Sequence, residues 1–212
     1  MNTHTFLRRI SVFALLGLAV IVIAACGSDS PDTANRSEPA AVRSYVGAAQ
    51  GSGAFVGVVV DGERALTYVC DGVPGDPVGA PPTVQAWFNG PLKGDVVDVS
   101  EPGGRLELRV RKDDVTGTVS LADGRRLPVA ARVVEGDAGL YRAEASVTDG
   151  KLVAGWILSS DGQQRGGLGV ESGGTTKLSG TGPLILSQPT ISLQGLASAR
   201  IAKVGITPIP IP

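Results

Sequence analysis

The sequence predicts an all-β fold: an antiparallel, hairpin-built up-and-down barrel, with a two-sheet β-sandwich as the alternative arrangement. Three observations carry this. Beyond residue 54, short apolar runs are separated by turn dipeptides: Asp61-Gly62, Asp71-Gly72, Asn89-Gly90, Asp123-Gly124, Asp149-Gly150 and Asp161-Gly162. Asp-Gly and Asn-Gly tolerate the positive φ of tight hairpin turns. Several of the runs alternate apolar and polar residues, which gives a strand one dry and one wet face. Helix signals are nearly absent after residue 50. Sequential hairpins close readily into a barrel, and closure removes exposed sheet edges.

In chain order, strands are expected at 54–60, 64–70, 83–89, 95–100, 104–111, 114–121, 126–134, 139–147, 151–159 and 163–170. Leu106, Leu108 and Val110 share a face opposite Arg105, Glu107, Arg109 and Arg111. Val115, Val119 and Leu121 oppose Thr116, Thr118 and Ser120. Leu127, Val129, Ala131 and Val133 alternate with Arg126, Pro128, Ala130 and Arg132. Pro128 cannot donate to a ladder, so it predicts an edge position or a bulge. Glu171 to Thr176 reads as a linker. Further strands are expected at Pro183–Ser187 and Thr190–Leu193, with Arg200–Val204 as a third candidate. The end, Thr207-Pro208-Ile209-Pro210-Ile211-Pro212, favours an extended polyproline-like backbone.

The segment before this β region has a different texture. Ser28 to Gly53 is rich in Ser, Pro, Asp, Ala and Gly, and predicts a flexible tether with a coil span of about 25–30 Å. Within it, Ala40–Ala49 is expected to form a short helical turn. Earlier still, Arg8 and Arg9 precede Ile10–Ala25, a run interrupted only by Ser11. That run is short for a spanning helix and fits the apolar region of a signal peptide. Arg8-Arg9 also admits a twin-arginine export reading. The expected division is 1–25 signal peptide, 26–53 modified cysteine and tether, 54–171 β domain, and 172–212 linker, added strands and Pro-rich tail.

Ile23-Ala24-Ala25-Cys26-Gly27 resembles the lipobox of bacterial lipoproteins. The resemblance implies export, diacylglyceryl transfer to the Cys26 thiol, cleavage before Cys26, and acylation of the new amino terminus. The partner so implied is membrane lipid, held through acylated Cys26 on the extracytoplasmic face of the cell membrane. The rest of the chain is similar in style to lipid-anchored β-domain proteins of actinobacterial type. Ala65-Leu66-Thr67-Tyr68-Val69-Cys70-Asp71-Gly72, Gly139-Leu140-Tyr141-Arg142-Ala143 and Ala154-Gly155-Trp156-Ile157 carry that likeness. It transfers no catalytic residue.

Cleavage before Cys26 has chemical consequences. It removes His4, the only histidine, and with it Ser-His-Asp, Cys-His and histidine-metal chemistry. It removes Arg8 and Arg9 from a chain with 19 basic and 20 acidic residues, leaving a mildly acidic protein. A nucleic-acid partner, which demands a basic face, is not expected. With Cys26 acylated, Cys70 has no disulfide partner and is expected in the core.

What chemistry remains is sparse. Asp61 and Asp71 close adjacent turns and could pair as hydrolytic carboxylates, with Asp76 nearby, although Asp in Asp-Gly is first a turn residue. Asp95, Asp98, Asp113 and Asp114 could attract calcium but lack a dense oxygen-ligand pattern. Arg105, Arg109, Arg111, Lys112, Arg125 and Arg126 could gather into a basic patch. The acids interleaved with them predict a mixed-charge face instead. Trp87 and Phe88 are adjacent and must point to opposite faces. Tyr68, Trp87, Tyr141 and Trp156 are the candidate ligand-binding aromatics. Small residues such as Gly57 and Gly155 either leave a cavity beside them or let sheets pack closely, and close packing is the expectation. No cofactor and no metal are expected. The function expected is a non-catalytic binding module for an apolar or envelope ligand. Docking onto another envelope component is the alternative, and a histidine-free hydrolase the third reading.

Overall fold

The computed structural model describes residues 41–75 and 79–205, and every regular element among them is a strand. Eight strands form a closed antiparallel barrel in sequential order: β1 (Arg43–Ala49), β2 (Ala54–Asp61), β3 (Arg64–Cys70), β4 (Gln85–Lys93), β5 (Val96–Glu101), β6 (Gly104–Val110), β7 (Asp114–Leu121) and β8 (Arg126–Val134). Closure comes from β1, which pairs with β2 on one side and with β8 on the other, Ser44 facing Val134 and Ala49 facing Val129. Pro128 lies one step past that last pair, where no β1 partner requires its missing N–H, and its carbonyl accepts from Gln50 N at 2.8 Å. Glycines at the tight turns supply the left-handed backbone that L side chains resist, as at Gly62 (φ 60°) and Gly94 (φ 64°).

The barrel interior is filled. Tyr45, Val58, Phe88, Val97, Leu106 and Val119 are among the side chains buried inside it. An eight-stranded barrel is just wide enough for side chains to fill. At one mouth, Tyr45 Oη donates to the Arg111 carbonyl at 2.8 Å.

Three further strands and two short pieces build a second sheet. β9 (Gly139–Val147), β10 (Gly150–Leu158), β11 (Gln164–Ser172) and β12 (Thr175–Ser179) form an antiparallel meander. The order is β12-β11-β10-β9-β15, with β15 (Ala202–Lys203) on the far edge. A ribbon of β13 (Thr190–Leu193) and β14 (Ala197–Arg200) pairs separately.

The second sheet crosses the barrel strands. Ile157 approaches the Gly57 position of β2, while Gly155, two residues back along β10, meets Tyr68 of β3 and Trp87 of β4. Two residues along a strand cover about 7 Å, enough to pass one or two strands only if the sheets cross steeply. Val46, Val59, Leu66, Tyr68, Cys70, Leu140 and Ile157 make the seam. The opposite face of the sheet, with Trp156, Leu152 and Leu168, is covered by Leu184, Leu193 and Ala199.

Several expectations are corrected here. Residues 43–49 are a barrel strand, not a helical turn, so the β region begins before residue 54. Both faces of β1 are covered at its centre, by the barrel core at Tyr45 and by the seam at Val46. The ten expected strands do not form one barrel. Seven of them, with β1, close it, and the last three form the second sheet. Glu171–Thr176 is a hairpin turn rather than a linker, since Ser172 faces Thr175 across it. Pro183–Ser187 is not a strand. It is a crossing segment ending in a turn, where Gln188 N donates to the Ile185 carbonyl at 2.9 Å. Cys26, the signal segment, Asp76 and the Pro-rich end lie outside the described residues.

Candidate functional site

The four candidate aromatics form two pairs on opposite sides of the second sheet. Tyr68 and Trp87 face each other across β3 and β4 and stack, with ring centroids 4.1 Å apart and planes at 24°. The Arg142 guanidinium sits 4.6 Å from the Trp87 ring centre. Two planar groups this close to one ring must occupy its two faces, so Trp87 has no free face for a ligand. Tyr141 and Trp156 face each other across β9 and β10 on the other side. Trp156 Nε1 donates to the Gly182 carbonyl at 2.9 Å, and Tyr141 Oη donates to the Asp137 carbonyl at 2.6 Å. Both rings are core.

The seam carries polar atoms at some cost. Tyr68 Oη, Gln85 Oε1 and Trp87 Nε1 are buried and have no hydrogen-bond partner among the described residues. Such groups cost stability wherever no partner replaces water. Burial pushes the Tyr68 hydroxyl well above its ordinary pKa. Burial also pushes the Cys70 thiol up to about 11. A thiol so protonated is no nucleophile at neutral pH.

The carboxylate pair is not assembled. Asp61 ends β2 and Asp71 follows β3, so the seven residues of β3 separate them. At about 3.3 Å per residue the two lie at opposite ends of the barrel. Asp71 Oδ1 instead accepts from Thr83 N and Val84 N, each at 2.9 Å, and so holds the approach to β4.

Four other acids are taken by arginines. Asp98 pairs with Arg105 at 2.9 Å, Asp95 with Arg109 at 2.6 Å, Asp114 with Arg111 at 3.5 Å and Asp123 with Arg125 at 2.7 Å. The Arg105 hydrogen bonds hold the Asp98 carboxyl below its usual range. The arginine-rich stretch is therefore a mixed-charge face. No group of three His, Cys, Asp or Glu among the described residues could hold a metal ion.

An open cleft of about 580 Å³ lies beside these features. Three segments line it: the β8–β9 connection with Glu135, Asp137 and Ala138; the β10–β11 hairpin with Leu158, Ser159, Ser160, Gly162 and Gln164; and the crossing segment with Leu184, Leu186 and Ser187. Gln164 fixes that segment from both sides. Its Nε2 donates to the Leu184 carbonyl at 3.0 Å, and its Oε1 accepts from Leu184 N at 2.9 Å. The hairpin is set by Ser159 N donating to the Gln163 carbonyl at 3.0 Å, with Gly162 at φ 83°. Leu158 and Leu184 are buried floor, while Leu186 is 46% exposed. The result combines aliphatic surface, hydroxyls and two carboxylates, within the size range of small-molecule sites.

Sequence reasoning did not find this cleft. Its residues come from three segments spread over some 50 positions, and none alone marks a site. The one available signal was Ile185-Leu186, an apolar pair bracketed by Pro183 and Pro189, which reads as a strand. Comparison with known protein families, curated proteins and solved structures found no match.

Proposed function

We propose that the protein is a lipid-anchored, non-catalytic binding module on the extracytoplasmic face of the membrane, taking its envelope ligand in the open cleft. One observation carries this reading: the barrel is filled with side chains, while a preformed cleft of about 580 Å³ lies outside it. This favours a ligand with polar groups to meet Ser160 and Ser187 over an apolar molecule carried inside the barrel. The protonated Cys70 and the separated Asp61 and Asp71 support a binding role over a hydrolytic one. Docking through a sheet edge is the second reading, because β12 is largely exposed and no described strand pairs with its outer side. Lys177 on β12 weakens it, since lysine on an edge strand discourages strand addition.

The test is an NMR titration of residues 27–212, which contain every described residue and both cores, with solubilised cell-wall glycan-peptide fragments. Shifts should map to Ser159, Gln164, Leu186 and Ser187. Leu186→Asp should weaken binding about tenfold or more, the equivalent of losing one buried leucine contact. Lipid co-purifying inside the barrel, with the cleft signals unmoved, would overturn the proposal.

A further inference from the structure

We infer that the cleft selects a ligand carrying a primary ammonium on an aliphatic stem, the chemistry of a lysine-like side chain. This rests on the reading of the cleft as the binding site. The cleft lining holds two acids, Glu135 and Asp137, and no basic side chain, and neither acid joins an ion pair with a described residue. Two carboxylates without a third ligand suit an ammonium better than a divalent cation, which needs more oxygen donors.

The same corner already holds one group of this kind. Lys203 Nζ donates to the Gly136 carbonyl, and burial lowers the pKa of its ammonium while the nearby Asp137 charge partly offsets that shift. A Cβ on Gly139 would lie 2.8 Å from Lys203 Cε, so the missing side chain there makes room for the lysine stem. The β8–β9 connection thus presents carbonyl, carboxylate and stem space to an amine. Lys203 uses the Gly136 carbonyl. Glu135 remains for an incoming ammonium, with Leu158, Leu184 and Leu186 to cover its stem. An anion finds no complementary charge among these lining residues.

The probes are Nα-acetyl-lysine methylamide and its norleucine counterpart, titrated into residues 27–212 by NMR. The lysine probe should shift Ser159, Gln164 and Leu186 signals, and the norleucine probe should bind at least threefold more weakly. Glu135→Gln should erase that preference, and raised salt should reduce it, as for any exposed ion pair. Glu135 is exposed, so this variant keeps the fold. Equal binding of both probes, or a preference that survives Glu135→Gln, overturns the ammonium inference and leaves the cleft as the site. Neither probe binding, while wall fragments still shift the cleft, overturns it as well. If wall fragments also leave the cleft unmoved, the reading of the cleft itself fails.

Discussion

Gly155 is one of the positions where the barrel and the second sheet approach closely, and its missing side chain makes room for the seam aromatics. A Cβ there would lie 2.5 Å from Trp87 Cζ2 and 2.8 Å from Tyr68 Cε1. Neither ring can yield easily, because they stack on each other and Arg142 covers the remaining face of Trp87. Gly57, in the same seam, is different. Its Cβ would meet Ile157 and Leu140 at 3.4 Å, an ordinary contact. Gly155→Ala should therefore lose about 1–3 kcal/mol of stability, the usual cost of overpacking, while Gly57→Ala should change it by less than about 1 kcal/mol. Urea unfolding followed by tryptophan fluorescence measures both. Equal effects would mean that the seam does not depend on the close contact at Gly155. The sequence offers both glycines as small residues beside apolar neighbours, and only their opposing partners, distant in the chain, distinguish them.

The strands that could be read from the sequence are those with one wet face. β6 alternates because its outer side meets water, so Leu106 and Leu108 stand out against Arg105 and Arg109. β1 could not be read this way. Tyr45 faces the barrel core and Val46 the seam, and Gly47 and Ala48 add no pattern. A strand covered on both sides loses its period of two, and this one lies within a stretch whose composition otherwise predicts a tether. The cleft was illegible for a related reason: packing of separate elements, not local pattern, brings Glu135, Gln164 and Leu186 together. Yet β1 makes the barrel a barrel. A Cβ on Gly47 would lie 2.0 Å from the Ala130 carbonyl oxygen, so any side chain there must push β1 off β8. Gly47→Ala should cost about 2–3 kcal/mol, within the range of a serious single-site loss. Amide exchange should speed up along β1 and β8 while the β10–β11 hairpin keeps its protection. Unchanged exchange at the β1–β8 pairs would remove β1 as the closing strand.

At the scale of the whole molecule, the position of β1 alters what an anchor at Cys26 can do. With the barrel starting at Arg43, residues 27–42 link the two, sixteen rather than the longer stretch that composition implies. Their full reach is at most about 58 Å by covalent geometry. The linking segment joins the barrel at Val42, where a Cβ on Gly205 would lie 2.4 Å from Val42 Cγ1, so the two ends of the described body meet. Val134 pairs with Ser44, and Glu135 follows at once, which places the acidic rim of the cleft beside the attachment point. On the proposed reading, the cleft therefore sits on the tether side of the body and works within that reach of the lipid surface. On that same reading, Cys26→Ser removes the proposed acyl acceptor, and Cys70, buried and with its thiol pKa raised to about 11, cannot replace it. Several acyl chains give durable anchoring where one is marginal, so this substitution should move the protein from the membrane fraction to the soluble one or leave it as an unprocessed precursor. Urea unfolding of the purified 27–212 domain should match that of the wild-type domain released from the membrane. Membrane partition and mature size unchanged in Cys26→Ser would refute the anchor and, with it, the membrane-proximal placement of the cleft, while leaving the ligand titrations to judge the cleft on its own.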